Sequence, residues 1–120
     1  MEVMVMIRTS YFWKVKNGDV NENECVSIAL WNPRGVFMPQ YKELAPTQSI
    51  LTEYKYNGED WDRYVRRYND EVLAKLDVHK VARELDGKVL LCYEGKNNPR
   101  CHRHLVREWL RTAGYECEEI

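Results

Sequence analysis

The last third of the chain constrains the fold most strongly, because helical and extended patterns alternate there. Apolar spacing predicts a helix over residues 78–85, a buried strand over 88–93, a helix over 101–113 and a short strand over 115–120. Gly114 directly follows the second of these helices, where a helix commonly ends. Helices and strands that alternate in this way form a parallel sheet covered by helices. The chain is therefore predicted to have an α/β fold.

The preceding part of the chain predicts further elements of the same sheet. Apolar runs over residues 3–7 and 25–30 are typical of strands. Residues 45–57 and 59–76 have helical spacing. The stripe of the longer helix is expected to be core rather than a stacking surface, and it consists of Trp61, Val65, Tyr68, Val72 and Leu76. Together these patterns predict a mostly parallel sheet of about four to five strands flanked by helices.

Length and charge exclude several classes of protein. The 120 residues fit a single domain that spans residues 1–120. A net charge of −1 provides no overall field to attract nucleic acid or an anionic membrane. No apolar run approaches the roughly 20 residues of a membrane helix, and the first residues lack the pattern of a secretion signal. We therefore expect a cytoplasmic protein with reduced cysteines, no membrane association and no general affinity for nucleic acid.

One stretch places reactive side chains at the end of the sheet where ligands bind. In parallel sheets, ligands bind beyond the carboxyl ends of the strands, often against the N-terminus of the following helix. The predicted strand over residues 88–93 and the helix over 101–113 flank that position. The candidate catalytic residues there, as nucleophiles or as proton donors and acceptors, are Cys92, Glu94, Cys101 and His102.

The same loop is suited to a small anion. The first amide groups of a helix have no partner within the helix, and the helix dipole favours negative charge there. Arg100 and Arg103 flank this helix start and are the candidate anion-binding residues. The alternative is that both arginines are solvated and that Asn98 or Cys101 only caps the helix. A small anionic ligand, such as a nucleotide, is the partner that this stretch predicts.

The order of residues in the last helix argues against a metal site that uses both of its histidines. At about 100° per residue, His102 falls on the apolar face of the helix, whereas His104 points to the opposite, solvated side. A site formed by Cys92, Cys101 and His102 with a distant fourth ligand stays open. Its spacing, however, lacks the paired short knuckles that are typical of zinc sites. No metal and no cofactor are therefore expected.

Two known cysteine motifs resemble parts of this stretch. Cys101 and Arg107 have the Cys-x5-Arg spacing of phosphatases, but the residues between them contain no glycine and belong to the helix, so this motif is rejected. The sequence around Cys92 is more similar to the rhodanese arrangement of strand, cysteine, loop and helix. Against that similarity, Glu94 would raise the pKa of the thiol, the loop is longer than in rhodaneses and Pro99 removes one amide donor.

Four further polar residues are candidates for the rim of the same site. They lie at or near the ends of predicted strands, or in the loop that follows the second strand: Arg8, Ser10, Ser27 and Tyr41. Their placement depends on the order of the strands in the sheet, which the sequence leaves open.

Two short motifs in this stretch resemble the signature of a known family. The sequences LLCYE at residues 90–94 and CHR at residues 101–103 are similar to those of the domain of unknown function 488 family. RTSYF, VSIAL and YKELAP fit as well, so the resemblance covers nearly the whole chain. It implies a small α/β domain and no particular activity. It also implies that one constellation is formed by Cys92, Glu94, Cys101, His102 and Arg103.

These patterns leave three functions open and do not decide whether the protein is an enzyme. The first is an enzyme or binding domain for a small anionic molecule or nucleotide, with Cys92 or Cys101 as nucleophile. The second is a thiol-redox or rhodanese-like sulfur-transfer protein that uses both cysteines. The third is a non-catalytic interaction module, in which the loop over residues 31–41 presents its apolar side chains to a partner: Trp31, Phe37, Met38 and Tyr41.

Overall fold

A four-stranded sheet lies at the centre of the computed structural model, which describes residues 5–93, 98 and 100–120. Its strands are β1 (Met6–Tyr11), β2 (Cys25–Ser27), β3 (Val89–Cys92) and β4 (Glu116–Glu119). Their order across the sheet is β2-β3-β1-β4, and each neighbouring pair is parallel. The predicted α/β fold and the predicted number of strands are confirmed.

Five α-helices lie within the described residues: α1 (Phe12–Lys16), α2 (Gln48–Tyr56), α3 (Trp61–Glu71), α4 (Val78–Glu84) and α5 (His102–Thr112). Short 3-10 turns occupy Glu22–Glu24, Lys42–Leu44 and Leu73–Lys75. The helices α2, α3 and α4 begin where the side chains of Thr47, Asp60 and Asp77 accept hydrogen bonds from amide groups of the first turn. None of these described helices is both long and apolar enough to cross a bilayer.

The strand order places four of the helices on one face of the sheet. The connections from β2 to β3 and from β3 to β4 cross the sheet in one direction, whereas the connection from β1 to β2 runs the opposite way. Because such crossovers are right-handed, the first two cover one face and the third covers the other. Accordingly, Leu90 and Cys92 pack with residues of α2 to α5, whereas Val89 and Leu91 pack beside Phe12. Cys92 therefore faces the side of the sheet that carries α5.

The first strand differs from its predicted position. The sequence predicts residues 3–7, but β1 also includes residues 8–11, which pair with the whole of β3. Thr9 and Ser10 are fully buried in this strand despite their polar side chains. Their hydroxyl groups donate hydrogen bonds to oxygens at the end of the chain, which removes the cost of burying them. Thr9 and Ser10, whose polarity suggests that the strand ends before them, therefore lie inside β1.

The long helix predicted over residues 59–76 is shorter in the structure. It ends at Glu71 and is followed by the separate 3-10 turn. Its buried stripe is also rotated, because Tyr64 and Tyr68 are buried while Val65 is only half-buried. Tyr68 donates a buried hydrogen bond of 2.6 Å from its hydroxyl group to the carbonyl of Leu44. This bond ties α3 to the 3-10 turn that precedes α2.

We predict that Tyr68→Phe lowers the free energy of unfolding by about 1–2 kcal/mol, because the buried Leu44 carbonyl loses its partner. Urea unfolding followed by circular dichroism measures the change. The matched control is Tyr56→Phe, at a side chain that is 83% exposed, and its effect should stay within about 0.5 kcal/mol. Equal stabilities for Tyr68→Phe and the wild type would contradict a structural role for this bond.

Candidate functional site

The carboxyl end of β3 and the start of α5 meet at one edge of the sheet. Cys92 is the last residue of β3, and Cys101 is the residue that immediately precedes α5. Both are buried, and the structure joins them in a disulfide whose Cα–Cα distance of 7.3 Å exceeds the range of about 4.4–6.8 Å that is usual for this bond. The predicted closeness of Cys92 to the last helix is confirmed. Glu94, the third candidate catalytic residue of this loop, lies outside the described residues.

His102 is buried beneath this edge, as its place on the helix predicts. Its Nε2 lies 2.7 Å from the carbonyl oxygen of Ile28. A carbonyl only accepts hydrogen bonds, so Nε2 carries the proton and Nδ1 keeps its lone pair. Burial lowers the pKa of His102 from 6.5 to about 4, against the opposing effect of the Ile28 hydrogen bond, and the charge of Arg103 lowers it further. The imidazole is therefore neutral at pH 7.

Arg103 is fully buried and is held by groups from three strands. Its Nε lies 3.1 and 3.0 Å from the two carboxylate oxygens of Glu119, and its Nη2 lies 3.0 Å from one of them. Its Nη1 donates to the sulfur of Cys92 at 3.4 Å. The guanidinium carbon is 5.4 Å from the centre of the Tyr11 ring. Thr9 completes the group by donating to Glu119 at 2.5 Å.

This arrangement gives Arg103 an anionic partner from within the chain. Glu119 pairs with the guanidinium through Nε and Nη2, and an N–H of Nη1 is directed at Cys92. A cation that donates a hydrogen bond to sulfur favours the thiolate over the thiol. Sequence analysis missed Glu119 because it lies on another strand. The available signal was the spacing of Cys117 and Glu119, which places both side chains on the same face of β4.

A cleft of about 560 Å³ opens above this edge. Its floor includes Cys92, Cys101 and His102. Its walls carry six aromatic residues: Trp31, Tyr54, Tyr56, Trp61, Tyr64 and Tyr93. Lys55 and the exposed Arg100 also line it, and Glu59 is the one carboxylate among the described lining residues. The two predicted cysteines, His102 and Arg100 thus meet at one cavity.

A continuous row of aromatic rings connects the cleft wall to His102. Trp61 stacks on Tyr64 with a centroid distance of 4.7 Å, and Tyr64 lies parallel to Tyr68 at 6.2 Å. Tyr68 meets the ring of His102 edge-on at 5.6 Å. Trp61 packs against the core as predicted, and its partly exposed edge also lines the cleft. Positions 61, 64 and 68 are three and four residues apart and share one face of α3, so this face both packs in the core and lines the cleft.

The four candidate rim residues do not line the cleft. Each is held by a partner elsewhere: Arg8 by Glu24 (3.0 Å), Ser10 by the Ile120 carbonyl (3.2 Å), Ser27 by the Ala29 amide (3.3 Å) and Tyr41 by Glu84 (2.6 Å). Side chains alternate along a strand. Ser27 therefore points away from the face that its neighbour Val26 shares with the helices.

The orientation of α5 also differs in part from the prediction. The most buried residues are His102, Arg103, Val106 and Leu110, whereas Leu105 and Trp109 are half-buried. His104, predicted to be solvated, is half-buried as well. Burial lowers its pKa, as does the charge of Arg103. A polar guanidinium sits on the buried face because Glu119 pairs with it, and helical periodicity contains no sign of that pairing.

We predict that His102 makes the stability of the protein fall as the pH drops from about 6.5 towards 4. The unfolded histidine takes up a proton near its ordinary pKa of 6.5, whereas the folded one resists until about pH 4. The unfolded state is therefore favoured across that window, by at most about 3 kcal/mol at the acid end. Urea unfolding at pH 7 and pH 4.5 should show a smaller loss for His102→Gln than for the wild type. The exposed His79→Gln serves as control and should keep the wild-type loss.

No curated protein and no solved structure matches the chain significantly. The profile of the family DUF488-N3a, described as the active DUF488-N3 subclade, matches residues 15–114. This match includes β3, the loop and the whole of α5, and therefore every described residue of the cleft floor. The chain belongs to the DUF488 family.

Proposed function

We propose that the domain binds a small anionic ligand with a planar ring, such as a nucleotide, and that Cys92 is the reactive group beside it. The observation that carries this proposal is the lining of the cleft, where aromatic walls, two cationic side chains and the cysteine floor face one space. A volume of about 560 Å³ is within the usual range of small-molecule sites. The subclade to which the chain is matched is described as active, which agrees with a reactive floor.

The aromatic walls support recognition of a planar ring. Trp31 is 61% exposed and Tyr56 is 83% exposed, so both present ring surface to a ligand. Stacking of a nucleobase on an aromatic side chain contributes about 1–3 kcal/mol. The inner wall, formed by Trp61 and Tyr64, is already stacked and cannot rearrange cheaply. A ligand ring is therefore best placed against the outer wall.

The cations support recognition of a phosphate or carboxylate. Arg100 is exposed at the cleft and immediately precedes Cys101, where the first amides of α5 add their own attraction for an anion. Lys55 lies on the opposite, α2 side of the same cleft. The carboxylate of Glu59 would repel an anion bound near it. The anion is therefore better placed nearer the floor. In this proposal Arg100 contacts the anion, and Arg103 acts on Cys92.

The floor supports chemistry on a bound ligand. When Cys92 is reduced, the hydrogen bond from Arg103 favours its thiolate form, which is the nucleophilic form of cysteine. Neutral His102 keeps the lone pair of Nδ1, which can accept a hydrogen bond from a ligand. Both act in a site largely shielded from water, where electrostatic effects are strong. A reducing compartment such as the cytoplasm, which we propose as the location, would keep the thiol available.

Ligand binding is tested by calorimetric titration of the reduced protein with adenosine monophosphate, adenosine and inorganic phosphate. We expect the nucleotide to bind more tightly than either fragment, because ring and anion contacts add. Trp31→Ala and Arg100→Gln should each weaken it about tenfold, which corresponds to about 1.4 kcal/mol. Trp13→Ala, at an exposed tryptophan outside the cleft, is the matched control. Failure of a panel of nucleotides to bind, or an equal loss in Trp13→Ala, would contradict the proposal.

A thiol-redox function is the second candidate, because the structure joins Cys92 and Cys101. In that reaction two protein thiols and one oxidised glutathione give the protein disulfide and two reduced glutathiones. We predict a reversible disulfide between these two residues, measured by alkylation and mass spectrometry in glutathione buffers of stepped potential. Cys92→Ser and Cys101→Ser should each abolish it.

The two remaining cysteines provide the control for the redox reaction. Cys25 and Cys117 are buried and free, and burial raises the pKa of each thiol, that of Cys117 to about 11. Cys25→Ser and Cys117→Ser should leave the disulfide unchanged. Pairing of Cys92 or Cys101 with one of these residues instead would exclude the proposed couple.

The interaction module has less support. In the loop over residues 31–41, Phe37 is 89% exposed and Trp31 belongs to the cleft. Met38 packs on the face of the sheet that carries α1, beside Val89 and Leu91. Tyr41 packs on the opposite face, which carries α2 to α5. The four apolar side chains therefore do not form the shared exposed patch that a docking surface needs.

A further inference from the structure

Three side chains on the floor of the cleft offer converging metal-ligand atoms. The sulfur atoms of Cys92 and Cys101 and a ring nitrogen of His102 all lie within 4.8 Å of one another, and all three residues are buried. Thiolate and imidazole are the donors preferred by Zn²⁺ and similar cations. Their sequence spacing lacks the paired short knuckles that are typical of zinc sites, and the three residues converge because β3 ends where α5 begins.

His102 has the hydrogen bonding expected of a metal ligand. Its Nε2 donates to the Ile28 carbonyl at 2.7 Å, which fixes the ring and leaves Nδ1 as the donor atom for a cation. Histidine ligands almost always hold their second nitrogen in this way, commonly on a backbone carbonyl. The edge of the ring rests against Tyr68, which restricts its rotation further.

The charges around the three residues also balance for a divalent cation. Two thiolates offset the two positive charges of the metal. Arg103 adds one positive charge, and Glu119 cancels it through hydrogen bonds of 3.0–3.1 Å. The Arg103 N–H that is directed at Cys92 serves as an outer hydrogen bond to a ligand sulfur. Among the described residues the charges of the site therefore sum to zero, which avoids the desolvation cost that an unpaired charge would incur.

We propose that Cys92, Cys101 and His102, when both thiols are reduced, bind one thiophilic divalent cation of the Zn²⁺ class. Three protein ligands leave a fourth position, which faces the cleft because all three residues line it. Such an open position is characteristic of catalytic rather than structural zinc sites. This inference deepens the proposed function, since an anionic ligand in the cleft would complete the coordination.

The metal and the disulfide are alternative states of the same two sulfur atoms. Two equivalents of a low-molecular-weight thiol reduce the disulfide to two protein thiols and leave as the oxidised dimer. Zn²⁺ then displaces the two thiol protons, which pass to the solvent. The site therefore binds metal only in the reduced protein.

The test is a titration of the full chain, reduced by a phosphine under anaerobic conditions, with Co²⁺ and Zn²⁺. We expect one equivalent of Co²⁺ to produce the absorption of a tetrahedral thiolate complex with release of about two protons, and Zn²⁺ to displace the Co²⁺ without further proton release. Cys92→Ser, Cys101→Ser and His102→Gln should each weaken binding by more than the 10–100-fold that loss of an outer partner costs. Cys25→Ser and Cys117→Ser are matched controls and should bind as the wild type does. Circular dichroism verifies that each variant is folded.

Several outcomes would overturn the metal site. They are the absence of stoichiometric binding to the reduced wild type, unchanged binding in His102→Gln and Cys92→Ser, or equal binding to the oxidised protein. Nucleotide titration of metal-free protein tests the cleft separately. If the protein binds nucleotide but not metal, only the metal site is overturned. If it binds metal but no nucleotide, the proposed ligand is overturned.

Discussion

The ion pair between Arg103 and Glu119 organises this domain. A guanidinium without solvent exposure in so small a core is stable only with partners, because an unpaired buried charge costs several kcal/mol. Glu119 from β4, Cys92 from β3 and the Tyr11 ring from β1 supply those partners. The pair therefore joins the carboxyl ends of three adjacent strands to the first turn of α5. The same contacts set the electrostatic environment of Cys92.

The topology explains why the site lies where it does. β3 is flanked by β2 and β1 and is covered on both faces, so the side chains at its carboxyl end open only towards the cleft. The helix α5 begins beside that end and brings Cys101 and His102 to it. The aromatic row runs from Trp61 at the cleft wall through the buried Tyr68 to His102 at the floor.

Much of the local structure could be predicted because it depends on neighbouring residues. Asp77 begins α4 in the expected place, and His102 points inwards as the helical spacing of α5 indicates. The end of β1 could not be predicted from neighbours, because burial of Thr9 depends on a hydrogen bond to Glu119, 110 residues away. The partial burial of His104 could not be predicted either. Helical periodicity locates the buried face from apolar residues, but the buried face of α5 also carries the charged Arg103.

The sequence by itself determined the alternation of strands and helices, the family and the gathering of Cys92, Cys101 and His102 at one strand end. These features follow from local spacing, from turn and capping residues, and from a signature confined to a few neighbouring positions. Only the tertiary structure decided that Arg103 is neutralised by Glu119, that the aromatic residues of α2 and α3 wall the cleft, and that the candidate rim residues lie outside it. Those outcomes depend on the strand order β2-β3-β1-β4, which is selected by packing and pairing between segments far apart in the chain.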